Sequence, residues 1–237
     1  MTELKRILDQ ILLAASHSGV PMPNESSSYL EPEGSRFSPR QSTAIRSYEL
    51  LVVETLLEPT ECEVQSLVAP WQLEESASVV CLPSFEPEWV LRVVGDRKAK
   101  FWVVLLEAET NIWYSALSQS ETSPSPPVKK LWAELAKEIG GAVCDVWSDV
   151  VSQTRYPRTR LAGGCDGATH HFEYSGKGVP AIAGKTWSPV ETTIPGRLAG
   201  LARCLRDYVR DQENQDAFLQ AVNDHLLWLQ SHKPMSP

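Results

Sequence analysis

The period of the apolar residues changes once along the chain, and this change restricts the fold more than any other feature. Between residues 45 and 117 the apolar residues form short runs rich in Val, Leu and aromatic side chains, a pattern typical of β-strands. No helical pattern separates these runs, so they predict an antiparallel meander rather than parallel strands joined by crossover helices. The five runs are RSYELLVVETLL, ECEVQSLVA, SASVVCLP, EWVLRVV and AKFWVVLLEA.

Helical spacing replaces the strand pattern after residue 128. The residues Leu131, Trp132, Leu135 and Ile139 predict one helix, which Gly140-Gly141 would end. A second helix follows from apolar residues at positions i, i+3, i+4, i+7 and i+8. These are Val143, Val146, Trp147, Val150 and Val151.

A hairpin and two more helices are predicted in the C-terminal part. A turn at Cys165-Asp166-Gly167 leads into a strand over 169–174 that places His170 and His171 on opposite faces. The next helix begins at Thr192 or Thr193, with Pro195 in its first turn. A last helix carries Phe218, Val222, Leu226 and Leu229. The predicted fold class is α+β, with an antiparallel β-rich N-terminal half and a helix-rich C-terminal half that contains a short hairpin.

The composition divides the chain into five segments. An N-terminal helix (1–17) precedes an irregular linker (18–44), a β-rich lobe (45–117), a Pro/Ser linker (118–127) and an α-rich lobe with the hairpin (128–237). The sequence leaves open whether the last lobe forms one domain with 45–117. In segment 1–17, Asp9 and Gln10 interrupt the apolar core that a signal peptide needs, so we expect an amphipathic helix and a cytoplasmic protein. No run approaches the roughly 20 apolar residues of a membrane span.

The charge of the chain is concentrated in the β-rich segment. The formal net charge is −8, and residues 47–91 contain nine Glu but no Lys, Arg or Asp. An acidic chain of this kind is a poor candidate for nucleic-acid binding, which depends on phosphate neutralisation. The segment predicts either a solvating surface or a docking surface for a basic protein, whose approach such charge accelerates. The candidate docking residues are Glu61, Glu63, Trp71, Glu74 and Glu75.

A second polar cluster offers an alternative site for a small anionic molecule, with the arginines steering the substrate. In that enzyme interpretation Cys165 would be the nucleophile and a nearby His its base. A plain hairpin with a basic surface loop explains the cluster better than catalysis does, and adjacent His170 and His171 cannot share a metal within a strand. The residues are Arg155, Tyr156, Arg160, Asp166 and His171.

No recognised catalytic motif is present, so the sequence assigns no catalytic residue, metal or cofactor. The five cysteines are scattered and include no CxxC pair, which argues against disulfides and zinc sites. Three of the eight tryptophans, Trp102, Trp132 and Trp147, lie in periodic apolar patterns, and we expect them in the core.

The C-terminal part resembles a group of uncharacterised bacterial proteins. The resemblance is carried by TRYP (154–157), CDGATHHFEY (165–174) and AGKTWSP (183–189), followed by a Leu-rich amphipathic helix. It names no activity and no catalytic residue. Some proteins of this style look like immunity proteins encoded beside secreted toxins, which implies a protein partner.

Three functions are therefore open on the sequence alone. The first is a non-catalytic protein-binding protein, specifically an immunity-type inhibitor that covers a basic toxin surface with its acidic segment. The second is an enzyme acting on a small anionic substrate at the Arg155–His171 region. The third is a scaffold or accessory subunit, for which exposed tryptophans would form a flat apolar patch. The sequence does not indicate the oligomeric state.

Overall fold

The structure is a computed structural model that describes residues 30, 56, 73–96, 100–112, 126–154, 167–176 and 179–232. Several predicted elements lie outside these described residues. They are the N-terminal helix 1–17, the linker 18–44 apart from Leu30, the strand RSYELLVVETLL apart from Leu56, the strand ECEVQSLVA and most of the linker 118–127.

The described residues form six strands and three helices, which confirms the α+β fold class. The strands are β1 (Leu73–Pro83), β2 (Trp89–Asp96), β3 (Phe101–Ala108), β4 (Val128–Leu135), β5 (Ala168–Gly176) and β6 (Val179–Trp187). The helices are α1 (Lys137–Ser152), α2 (Ile194–Arg210) and α3 (Gln215–Ser231).

All six strands belong to one antiparallel sheet with the order β4-β3-β2-β1-β5-β6. The meander β1-β2-β3 and the hairpin β5-β6 have the connectivity that the sequence predicts. β5 pairs with β1, so the hairpin adds to the sheet beside the first described strand. The described strands of segments 45–117 and 128–237 therefore share one sheet, which is the arrangement that a single α+β domain requires.

The predicted helix over Leu131–Ile139 is wrong. Residues 128–135 form β4, which pairs with β3 in the register Leu131↔Leu105, and Gly140-Gly141 lie inside α1 rather than at a helix end. The buried positions of β4 are Ala133 and Leu135, which alternate with exposed residues as in a half-buried strand. The second predicted helix is confirmed, and α1 begins earlier than the apolar pattern indicated.

The sheet is buried on both faces around β2. On the face that carries the helices, Leu91 and Val93 of β2 join the main core, where Trp147 of α1 meets Phe172 of β5 edge-on with ring centroids 5.4 Å apart. On the other face, Val90 and Val94 join a second core. Burial on both faces explains why β2 is an almost continuous apolar run. The second core also contains Leu56, Leu82, Val104, Leu106, Ala108 and Ile112.

The two C-terminal helices follow the sequence prediction closely. Thr193 is the N-cap of α2, where its Oγ1 accepts a hydrogen bond from the Gly196 amide at 3.2 Å. Helical spacing predicts six apolar positions for α2, of which five are buried and the sixth, Tyr208, is half-buried. Three of the four predicted positions of α3 are buried. These buried residues are Leu198, Leu201, Ala202, Leu205, Val209, Val222, Leu226 and Leu229.

Trp132 is a correction to the predicted core. Its side chain is 54% exposed, because it lies on β4 at the edge of the sheet. Two side chains from the α2 region cover backbone carbonyls of this edge: Tyr208 donates to the Glu134 carbonyl at 3.1 Å and Gln212 to the Trp132 carbonyl at 3.4 Å. These bonds occupy acceptors that an added strand would otherwise use.

Candidate functional site

The acidic segment is divided between two ends of the sheet. Glu74 and Glu75 lie at the start of β1, whereas Glu86 and Glu88 follow its last residue. A strand rises about 3.3 Å per residue, which puts the two pairs roughly 30 Å apart. Among the described residues the glutamates therefore do not form one continuous patch. The other three predicted docking residues, Glu61, Glu63 and Trp71, lie outside the described part of the chain.

Glu88 is an internal carboxylate rather than a surface charge. Its side chain is fully buried, and Oε2 accepts a hydrogen bond from the Ile112 amide at 2.7 Å. The Ala108 amide donates to the Glu88 carbonyl at 2.9 Å. Glu88 therefore ties the segment after β3 to the start of β2, and it has a structural role.

Glu75 lies in an unfavourable electrostatic environment. It is half-buried, and the Tyr174 hydroxyl donates to its Oε2 at 3.5 Å. Burial raises the pKa of Glu75 above its usual value, and repulsion from Asp145 of α1 raises it further. Within the described part of the chain, neither Glu75 nor Asp145 forms an ion pair with a cation. We refer to Glu74, Glu75, Asp145 and Tyr174 as the acidic end of the sheet.

Replacing Glu75 by Gln is expected to stabilise the fold at neutral pH. Because the pKa of Glu75 is raised in the folded state, ionisation favours unfolding above that pKa, and acidification relieves the cost. The side chain is partly exposed and screened, so we expect a gain of at most about 1 kcal/mol in the free energy of unfolding. Urea unfolding at pH 7 measures it, with Glu109→Gln as the matched control at an exposed site. Equal changes in both variants would contradict the environment described for Glu75.

The alternative small-molecule cluster is mostly outside the described residues. The structure describes only His171 of this cluster. The other four residues lie outside the described part of the chain: Arg155, Tyr156, Arg160 and Asp166. His171 lies opposite Lys185 of β6, on the face away from the helices, whereas His170 is buried on the helix face. The two histidines thus point to opposite faces, as the sequence predicts.

A cysteine and a histidine that the sequence does not bring together are neighbours in the sheet. Cys81 of β1 pairs in register with His170 of β5 and with Trp89 of β2. Burial raises the pKa of the Cys81 thiol to about 12. Burial, followed by Arg203, lowers the pKa of His170 to about 3. Both groups are therefore neutral at pH 7, the opposite of the thiolate–imidazolium pair of a cysteine nucleophile, and the pair is part of the core.

Stability is expected to fall as the pH decreases below the ordinary His pKa of about 6.5. Because the pKa of His170 is about 3 in the folded state, only the unfolded state takes up this proton between about pH 6.5 and 3. The contribution of His170 is complete above pH 6.5 and is lost progressively toward pH 3. Urea unfolding between pH 7.5 and 4.5 tests this, and His170→Phe should flatten the profile. An unchanged profile in that variant would count against the neutral buried imidazole.

A polar cleft lies at the opposite end of the sheet from Glu75. Its volume is about 330 Å³. The Arg206 guanidinium lies 5.0 Å from the centroid of the Trp89 ring, and Arg210 forms an ion pair with Glu107. Carboxylates and cations are equal in number, so the cleft has no preference for an anion. The lining residues are Glu86, Pro87, Glu107, Ala108, Glu109, Lys129, Arg206 and Arg210.

The described residues contain no group of three or more His, Cys, Asp or Glu side chains arranged to hold a metal ion. None of the described helices has the length and hydrophobicity needed to cross a membrane. Compared with known protein families the chain matches none, and no curated protein is significantly similar to it.

Proposed function

We propose that the protein is a non-catalytic binding protein whose acidic end docks against a basic surface of a protein partner. The observation that carries the proposal is the position of Glu75. Its carboxylate is half-buried beside Asp145, and no cation in the described part of the chain pairs with it. A raised pKa means that the folded protein disfavours the ionised form of the carboxyl group. Groups with perturbed pKa values are concentrated at functional sites.

Docking of a cation would relieve this electrostatic cost. A Lys or Arg from the partner, placed between Glu75 and Asp145, would offset the repulsion between them and lower the pKa of Glu75. The Tyr174 hydroxyl, which already donates to Glu75, would help to keep the carboxylate in position. The acidic segment would add long-range attraction, which increases the rate of association with a cationic partner.

An immunity-type inhibitor is the specific binding function that we propose. The active sites of nucleic-acid-cleaving toxins are cationic because they bind phosphates, so an acidic surface complements them. Residues 154–189 and the following helix resemble uncharacterised bacterial proteins, some of which look like immunity proteins, and this resemblance fits the same function. The proposed partner is therefore a toxin with a basic active-site surface.

The experiment is a binding measurement with the product of the neighbouring gene. We expect the two proteins to form a complex whose affinity falls steeply with salt. The double variant Glu74→Lys/Glu75→Lys should weaken it at least about tenfold, the effect of losing roughly 1.4 kcal/mol of interaction. The matched control is Glu86→Lys/Glu109→Lys, which makes the same charge change at the other end of the sheet.

Circular dichroism and thermal unfolding would verify that both double variants fold. Absence of a complex would reject the toxin partner. Equal weakening by the two variants would show that net charge, rather than the acidic end, determines the affinity.

A further inference from the structure

A histidine between two arginines occupies the groove where α2 meets α3. Arg197, Gly200 and Arg203 follow each other at a spacing of three along α2. A Cβ atom at Gly200 would overlap the ring of His225 from α3, so the imidazole lies directly against the α2 backbone. Burial lowers the pKa of His225, and the positive charges of Arg197 and Arg203 both lower it further. We refer to Arg197, Gly200, Arg203 and His225 as the Gly200 seat.

Two polar atoms of the seat are buried without a hydrogen-bond partner among the described residues. They are Nε of Arg197 and Nδ1 of His225. The guanidinium of Arg197 lies over the ring of Trp228, 5.1 Å from its centroid, which restricts its orientation. A buried polar group without a partner is costly, and the Nε–H of Arg197 in particular needs an acceptor from outside the described residues.

The side of the seat near Arg203 is open to solvent. The Arg203 side chain is 45% exposed, and its partner Glu191, 3.6 Å away, is 85% exposed. An exposed ion pair of this kind is weak, so an incoming anion displaces it at little cost. Burial, then Arg197 and Arg203, lower the pKa of His225, while Asp224 and Glu191 act in the opposite direction. The imidazole is therefore neutral at pH 7.

We propose that the Gly200 seat is an oxyanion site that binds a phosphate or sulfate group between Arg197, Arg203 and His225. Nε–H of Arg197 and the Arg203 guanidinium donate to the oxygens, and guanidinium groups match the geometry of such oxyanions. His225 takes a proton from solvent and donates it as a third hydrogen bond. A metal cation does not fit, because two fixed positive charges face the seat. The proposal concerns the α2–α3 groove and does not depend on the acidic end.

The test is a titration of the full chain with sodium sulfate and with sodium phosphate, followed by NMR of the His225 ring at constant ionic strength set with chloride. We expect a saturable shift of the His225 resonances and a rise in the pKa of His225 when the anion binds. Sulfate binding should strengthen as the pH falls, since sulfate itself does not titrate in this range. Saturation by both anions supports a general oxyanion site, and saturation by phosphate alone assigns the phosphate group.

Arg197→Gln is expected to weaken binding of the anion about tenfold, because one charged hydrogen-bond donor is lost. Arg203→Gln provides a second variant if the first does not fold. The matched control is Arg210→Gln, an arginine of the same helix that pairs with Glu107 instead. A His225 response no different from that in chloride would show that the seat holds only water, and equal weakening in the control would reduce the effect to charge screening. Either result overturns the proposal.

Discussion

Replacing Trp147 by Ala is expected to lower the free energy of unfolding by about 3–5 kcal/mol, a large part of the total stability of a domain. The Trp147 side chain is completely buried in the main core, where it packs against Phe172. Its removal creates a cavity between α1 and the sheet, which the surrounding residues fill only in part. Urea or thermal unfolding measures the loss.

Trp132→Ala is the matched control, because it is the same substitution at a residue that is 54% exposed. It should cost less than about 1 kcal/mol, the range of strand propensity. Trp147→Phe gives a second measurement if the alanine variant does not fold. It should cost less than Trp147→Ala, since no hydrogen bond of the indole Nε1 within the described structure is lost. Equal losses at Trp132 and Trp147 would contradict the burial of Trp147 in the main core.

The two tryptophans also show where the sequence is informative and where it is not. Both lie in patterns that predict a helix, but Trp147 belongs to five apolar positions at helical spacing, whereas the pattern around Trp132 has only four. In β4 the period of two passes through Leu131, Ala133 and Leu135, and Trp132 is an apolar residue on the other face. Because Trp132 is apolar but exposed, the alternation of apolar and polar residues that is typical of a strand is not visible in the sequence. Residues 128–135 form a strand because they pair with β3.

Contacts that join distant parts of the chain could not be predicted. The strands and their antiparallel meander follow from local runs of apolar residues. The pairing of β5 with β1 does not, because it joins residues far apart in the sequence: Ser84 and Gly167, which share a hydrogen bond at one end of this pair, are 83 residues apart. The charge count identifies Glu75, while its neighbour Asp145 has the pattern of an ordinary solvated helix face. The Gly200 seat is likewise distributed over two helices, so its residues share no sequence motif.

The second prediction with a large expected effect compares the same substitution at two adjacent glycines, Gly140 and Gly141, which the sequence suggests as a helix end. Gly140 and Gly141 both lie inside α1. A Cβ at Gly140 would overlap the ring of Phe101 and lie 2.6 Å from its Cδ1, and Phe101 is a buried core residue that cannot move freely. At Gly141 a Cβ would have no atom within 4 Å.

We therefore expect the same substitution to have opposite effects at adjacent positions. Gly141→Ala should stabilise the protein by about 0.5–1 kcal/mol, since alanine has the higher helix propensity and restricts the unfolded chain. Gly140→Ala has the same advantage but forces the helix away from β3, and it should cost about 1–3 kcal/mol overall. Urea unfolding of the two variants measures both effects, and the main observable is their sign. If both variants were stabilised, α1 would not approach Phe101 closely at Gly140, and the packing of this helix on the sheet would have to be revised.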